Sequence, residues 1–205
     1  MALKKIKKIN IIYSDPETYI KKENTNFSDS FLDVKQIVGC QGNHNPNTDN
    51  DVLIIGAGYD DKRISDVAIN KANAMKIQVF GFPSLQPDMF QENILRAYKA
   101  EESSMVGDLS FIDSNHSIFA PANDPFITAQ LISEFVKKEN ERKEISNLYL
   151  SPLATKSQAL GFTLFYVFEC LDKPVSIIFP YYERYTRETS KGIAKIWLYT
   201  LEFPN

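Results

Sequence analysis

The chain has 205 residues, 43% of them hydrophobic and 12% aromatic, and its 23 basic and 26 acidic side chains give a net charge of -3. That length carries one large domain or one domain with an extension, and the charge gives no global attraction for a polyanion such as nucleic acid. Cys40 and Cys170 are the only cysteines, which excludes a disulfide framework and reads as a reduced, cytoplasmic chain. With His44 and His116 as the only histidines, no second ligand pair completes a zinc site at Cys40 and His44.

The amino terminus is basic, but Ile9 to Tyr13 is interrupted by Asn10 and stopped by Ser14-Asp15-Pro16. It is too short for the apolar core of a signal peptide and reads as a first strand. Asp15-Pro16-Glu17 supplies a cap, a proline and an early acid, so a short helix is expected there. Residues 1–50 form an irregular part of a single domain over 1–205, with a second strand at Val34 to Val38 and a long exposed loop from Gln41 to Asn50.

From residue 51 a unit repeats: an apolar run, a turn of small, polar and proline residues, then an amphipathic run. Val52 to Ile55 is a strand buried on both faces, and Ile64, Val67, Ala68, Ala72 and Met75 follow at helical spacing. Ile77 to Phe80 is the next strand, and its loop Gly81 to Asp88 leads to a helix bearing Phe90, Ile94, Leu95 and Tyr98. Leu109 to Ile112 and Ser117 to Ala120 flank a polar turn and read as a hairpin or two short extended pieces. A helix after Pro125 follows, then strand Asn147 to Leu150, a helix from Ser157 to Leu171 that is apolar nearly all round, and strand Val175 to Phe179. The last segment, Ile193 to Phe203, reads as an antiparallel edge strand. Repeated strand-loop-helix order requires a parallel sheet with crossover helices. The expected fold is therefore α/β: three-layer and Rossmann-like, with about five or six mostly parallel strands and an antiparallel carboxyl-terminal edge.

Such a sheet places its post-strand loops on one edge, where ligands bind, and the candidate residues are taken from those loops. Gly56-Ala57-Gly58 follows a strand, but Asp61 occupies the third glycine position and no acid ends the next strand, so a dinucleotide fingerprint is absent. Gly58 still permits close backbone approach to a ligand, although a tight turn explains it as well. Asp60 and Asp61 suit a helix start, whereas Lys62 and Arg63 sit at the positive end of the dipole, which makes Arg63 a candidate anion ligand. Ser84 belongs to the next loop. Asn123-Asp124-Pro125 is an efficient helix start, in which one polar side chain caps while the other faces the ligand.

The strongest anion site is Ser151-Pro152-Leu153-Ala154-Thr155-Lys156-Ser157, where hydroxyls, free N–H groups and Lys156 converge on a helix N-terminus. It lacks the glycine scaffold of a Walker loop. Pro180 to Arg187 mixes Tyr181 and Arg184 with further aromatics and cations, a surface able to stack a base or to join a protein partner. No serine–histidine–acid set can be assembled from the sequence, and both histidines read as solvent-facing loop residues.

These features predict a domain that binds a small anionic ligand, a nucleotide or a phosphorylated metabolite. If it is an enzyme, a metal-independent hydrolase or group transferase fits, with Asp60 or Asp124 as acid or base. Gly58, Arg63, Ser84, Asn123, Ser151, Thr155, Lys156, Tyr181 and Arg184 are the expected ligand-binding residues; the sequence leaves any cofactor open and points to no metal and no membrane span. The competing expectation is an inert interaction domain, homo-oligomeric or part of a larger assembly. Single-stranded nucleic-acid binding at Tyr181 to Arg187 ranks third.

Overall fold

The computed structural model describes residues 6–19, 28–107, 115–185 and 190–203. In chain order the elements are β1 (Lys8–Asp15), β2 (Thr18–Tyr19), β3 (Ser28–Gln36), β4 (Val52–Gly56), α1 (Asp61–Asn70), β5 (Met75–Gly81), α2 (Met89–Ser104), β6 (Ser117–Ala120), α3 (Pro125–Arg142), β7 (Leu148–Ser151), α4 (Lys156–Phe165), β8 (Val175–Tyr185), β9 (Ser190–Lys191) and β10 (Lys195–Glu202). A π-helical turn, Tyr166–Cys170, follows α4. Backbone contacts divide the chain into two compact units, one made of Met1–Phe27 with Tyr185–Asn205, the other of Ser28–Arg184.

The larger unit is mixed α/β, with a six-stranded, mostly parallel sheet of order β3-β8-β7-β4-β5-β6 and four helices. The pairs β8–β7, β7–β4, β4–β5 and β5–β6 are all parallel, and β3 at the outer edge of β8 makes the sheet mixed. Every residue of β4 is buried, because successive side chains of a strand enter opposite faces and here both faces are apolar. Val52 and Ile54 join Ile77, Leu150, Ile132 of α3 and Phe162 of α4 in one core. Leu53 and Ile55 join Ile64, Val67 and Ala68 of α1 and Ala100 of α2 in another. Each fully buried branched side chain adds about 1.5–3 kcal/mol. Correspondingly, α1 packs on α2 and α3 packs on α4.

Three helices start on side-chain caps, of which the sequence places those at Asp60 and at Asn123-Asp124. The Asp60 carboxylate accepts from the Arg63 N–H, Asp124 accepts from the N–H groups of Phe126 and Ile127 ahead of Pro125, and the Thr155 hydroxyl accepts from the Gln158 N–H.

In the smaller unit, β1 and β10 form an antiparallel two-stranded sheet from Lys8↔Glu202 to Asp15↔Lys195, and β2 pairs with β9. This corrects two expectations. The carboxyl-terminal strand is antiparallel, but its partner is β1 and it is no edge of the parallel sheet. Asp15-Pro16-Glu17 starts no helix: Asp15 ends β1 and Glu17 is a bend before β2, and the Asp15 carboxylate accepts from the Tyr19 hydroxyl while its carbonyl accepts from the Ala194 N–H. One further difference concerns β8: Pro180 to Tyr185 continues it as strand, while residues 186–187 lie outside the described residues. Ser117 to Ala120 is extended, as expected, and pairs parallel with β5; Leu109 to Ile112 lies outside the described residues.

Candidate functional site

The strand order reverses at the β4–β7 pair: from β4 the chain steps to β5 and β6 on one side, then returns to β7 and β8 on the other. In open α/β sheets the crevice beyond the carboxyl ends of such strands is the usual ligand position. Here the chain itself enters it. A Cβ at Gly58 would collide with the Leu153 carbonyl, and one at Gly56 would lie 3.0 Å from the Ala154 Cβ. Both glycines permit close backbone approach, here of the β7–α4 loop to the β4–α1 loop.

Most candidate polar groups around this crevice hold backbone. Thr155 caps α4 and donates its hydroxyl to the Ala122 carbonyl at 2.6 Å, joining the loops after β6 and β7. The Gln158 amide donates to the Ala120 carbonyl, while the N–H of Phe82 donates to Ala120 and that of Ala122 to the Pro83 carbonyl. The Ser84 hydroxyl donates to the Gln86 carbonyl at 2.6 Å. Asp60, itself buried, is a cap and pairs with Arg63 Nε at 3.1 Å. The guanidinium of Arg63 also lies 5.9 Å from the ring centre of Tyr182, whose hydroxyl donates to Asp66. Asp124 is the α3 cap, and Asn123 beside it is half-buried.

Two groups of the loop stand apart. Lys156 is exposed at the first position of α4, has no ion-pair partner among the described residues, and no acid occupies the first turn of its helix. Ser151 is fully buried, and its hydroxyl has no hydrogen-bond partner. Tyr181 and Arg184 are exposed on the extension of β8, beyond the residues that pair with β7. The loops after β4, β5, β6 and β7 thus come together at one edge around Ala122, Thr155 and Leu153, with Tyr181 and Arg184 on the projecting strand.

A second polar cluster, at the amino-terminal edge of the sheet, was not legible as a cluster in the sequence. His44 stacks on Tyr149 with ring centres 5.0 Å apart, and its Nδ1 and Nε2 lie 3.2 Å and 3.1 Å from Asn147 Oδ1 and Ser176 Oγ. Because the Asn45 N–H also donates to Asn147 Oδ1, that atom is an acceptor and His44 Nδ1 must donate to it, while Nε2 and the Ser176 hydroxyl share the second hydrogen bond. The amide of Asn147 donates to Asp51 Oδ1 at 2.8 Å and to the carbonyls of Asn45 and Asn47. Burial and the neighbouring Asp51 push the Tyr149 hydroxyl pKa up, and burial lowers that of Lys71, whose ammonium sits 4.1 Å from the Tyr149 ring centre.

A serine, a histidine and an amide in line imitate nucleophilic catalysis. Ser176 is nevertheless fully buried, out of reach of a substrate. Gln41 to Asn50 is mostly exposed, as its composition leads one to expect, and the cluster anchors it to the sheet: a Cβ at Gly42 would strike the backbone of Val175, and the Ile177 N–H donates to the Cys40 carbonyl.

Among the described residues no group of three or more histidines, cysteines or carboxylates could hold a metal, and no helix is long and apolar enough to cross a membrane. No family model matches the chain, and no curated protein matches it.

Proposed function

We propose that Ser28–Arg184 is a Rossmann-like, three-layer α/β domain of the cytoplasm that binds a small anionic ligand, a nucleotide or phosphorylated metabolite, at the N-terminus of α4. The carrying observation is the unneutralised Lys156 at the first helical position of α4. A cation there opposes the helix dipole and costs about 0.3–1 kcal/mol, an arrangement that a bound anion reverses by meeting both the ammonium and the free N–H groups. The Thr155 bond to Ala122 draws the Asn123-Asp124 loop alongside, so a ligand on Lys156 has polar groups of a second loop within its surroundings. Strand order supports the same reading, since the site lies at the reversal between β4 and β7.

The reading is of binding. A hydrolase or transferase would draw its acid or base from Asp60 or Asp124, and both carboxylates are committed as helix caps. Thermal unfolding of the purified protein with nucleotides, sugar phosphates and inorganic phosphate, repeated with Lys156→Ala, tests it. A midpoint raised by one of these ligands in the wild type and unmoved in the variant is expected by mass action; equal shifts in both proteins sink the assignment.

A second reading, an interaction domain, is favoured by a separate observation in the smaller unit. Ile12, Ile196 and Leu198 are 73%, 68% and 62% exposed. Ile12 faces Leu198 across the β1–β10 pair, and Ser14 faces Ile196. Among the described residues these strands pair only with each other, and unpaired edges beside an apolar face suit docking by another chain.

A further inference from the structure

At the amino-terminal end of β7 and β8, away from the α4 N-terminus, the second half of α3 and the π-helical turn line a half-open cavity of about 280 Å³. Its inner wall is apolar, formed by Val136, Ile145, Leu148, Phe165, Cys170 and Val175. The π-helical turn widens the helix between Phe165 and Cys170; such turns occur mostly singly within helices and frequently at functional sites. Burial pushes the Cys170 thiol up to about 12, as expected for a group facing an apolar space.

The rim is polar and electrically ordered. Lys137 pairs with Glu169 at 3.2 Å. Burial pushes the Glu169 carboxyl up, but hydrogen bonds from Ser133 and Lys137 and the Lys137 and Lys173 charges outweigh it and hold the group below its ordinary value. That pair is internally neutral. Two rim charges of opposite sign are left without an ion pair among the described residues, Lys173 and Glu144. A ligand matched to this wall and rim has an apolar body and carries both charges on its head.

We infer that this cavity binds a small zwitterion with an apolar body, of the class of a free aliphatic or aromatic amino acid, with its carboxylate toward Lys173, its ammonium toward Glu144 and its side chain against Phe165 and Val136. The site is independent of the anion site at Lys156.

Calorimetric titration and thermal unfolding with leucine, phenylalanine, isocaproate and isoamylamine test it on the full chain. The two amino acids should bind and raise the midpoint, and the single-charge analogues should bind more weakly. Lys173→Ala and Glu144→Ala, both at exposed rim positions, should each weaken leucine by up to about fivefold. Val136→Phe, which fills the cavity, should abolish binding, and Lys156→Ala should leave it unchanged. Absence of binding by either amino acid overturns the inference, as does binding that survives a folded Val136→Phe variant. If Val136→Phe fails to fold, the rim variants decide: unchanged leucine affinity in both overturns the assignment. Isocaproate and isoamylamine binding as tightly as leucine overturns the zwitterion class.

Discussion

At the level of single residues, the side chains that look most chemical in the sequence mainly hold loops. Thr155 both caps α4 and bridges to Ala122, so Thr155→Val should cost about 1–2 kcal/mol in urea unfolding, and a loss under a few tenths would mean that the bridge does not form. Gly58→Ala should cost more, about 3 kcal/mol, because the backbone carbonyl of Leu153 cannot yield as a flexible side chain would. Asn147, fully buried and bonded to Asn45, Asn47 and Asp51, should lose about 2–4 kcal/mol on replacement by alanine and release the loop to hydrogen exchange. The caps at Asp60 and Asp124 were legible because a cap is local: its residue types and spacing lie within one turn of chain. Thr155, expected among the ligand-binding residues, is a third cap. The role of His44 was not legible because its partners, Asn147 and Ser176, lie more than a hundred positions away, and no local pattern announces such a meeting.

Among the elements, α4 carries the opposed expectations. Without ligand, Lys156→Ala should leave stability unchanged or raise it by up to about 1 kcal/mol, since it removes a cation from the positive end of the dipole; a clear loss would show that Lys156 supports the fold. The π-helical turn that follows gives a pH signature. The folded-state pKa of Glu169 is depressed by Ser133 and the lysines, so its contribution is present above the unfolded value of about 4.3 and is lost as pH falls through the lower folded value. Unfolding followed from pH 6 to about pH 3 should show part of the acid loss of stability disappear in Glu169→Gln, and coincident curves would contradict the pairing with Lys137. A continuous apolar run disclosed β4 because a strand buried on both faces leaves that mark, and the shorter apolar stretches at Ile77 to Phe80 and Leu148 to Leu150 disclosed β5 and β7. The π-helical turn left none, since Ser157 to Leu171 reads equally well as one unbroken helix.

For the molecule as a whole, the repeated strand-loop-helix unit disclosed a mostly parallel sheet, whereas the pairing of the two chain ends was hidden. Ile193 to Phe203 reads as a strand from its own residues, but whether it pairs with β8 or with β1 depends on contacts nearly two hundred positions apart. If the exposed Ile12, Ile196 and Leu198 face docks a second copy, light-scattering mass should rise with concentration and stay monomeric in Ile12→Lys with Leu198→Lys; a constant mass in the wild type would dismiss self-association. Anion recognition at the N-terminus of α4 stands or falls on ligand-dependent thermal unfolding of wild type and Lys156→Ala. A nucleotide or sugar phosphate that raises the midpoint in the wild type alone is the expected result, and no shift with any of them, or the same shift in both proteins, would contradict it.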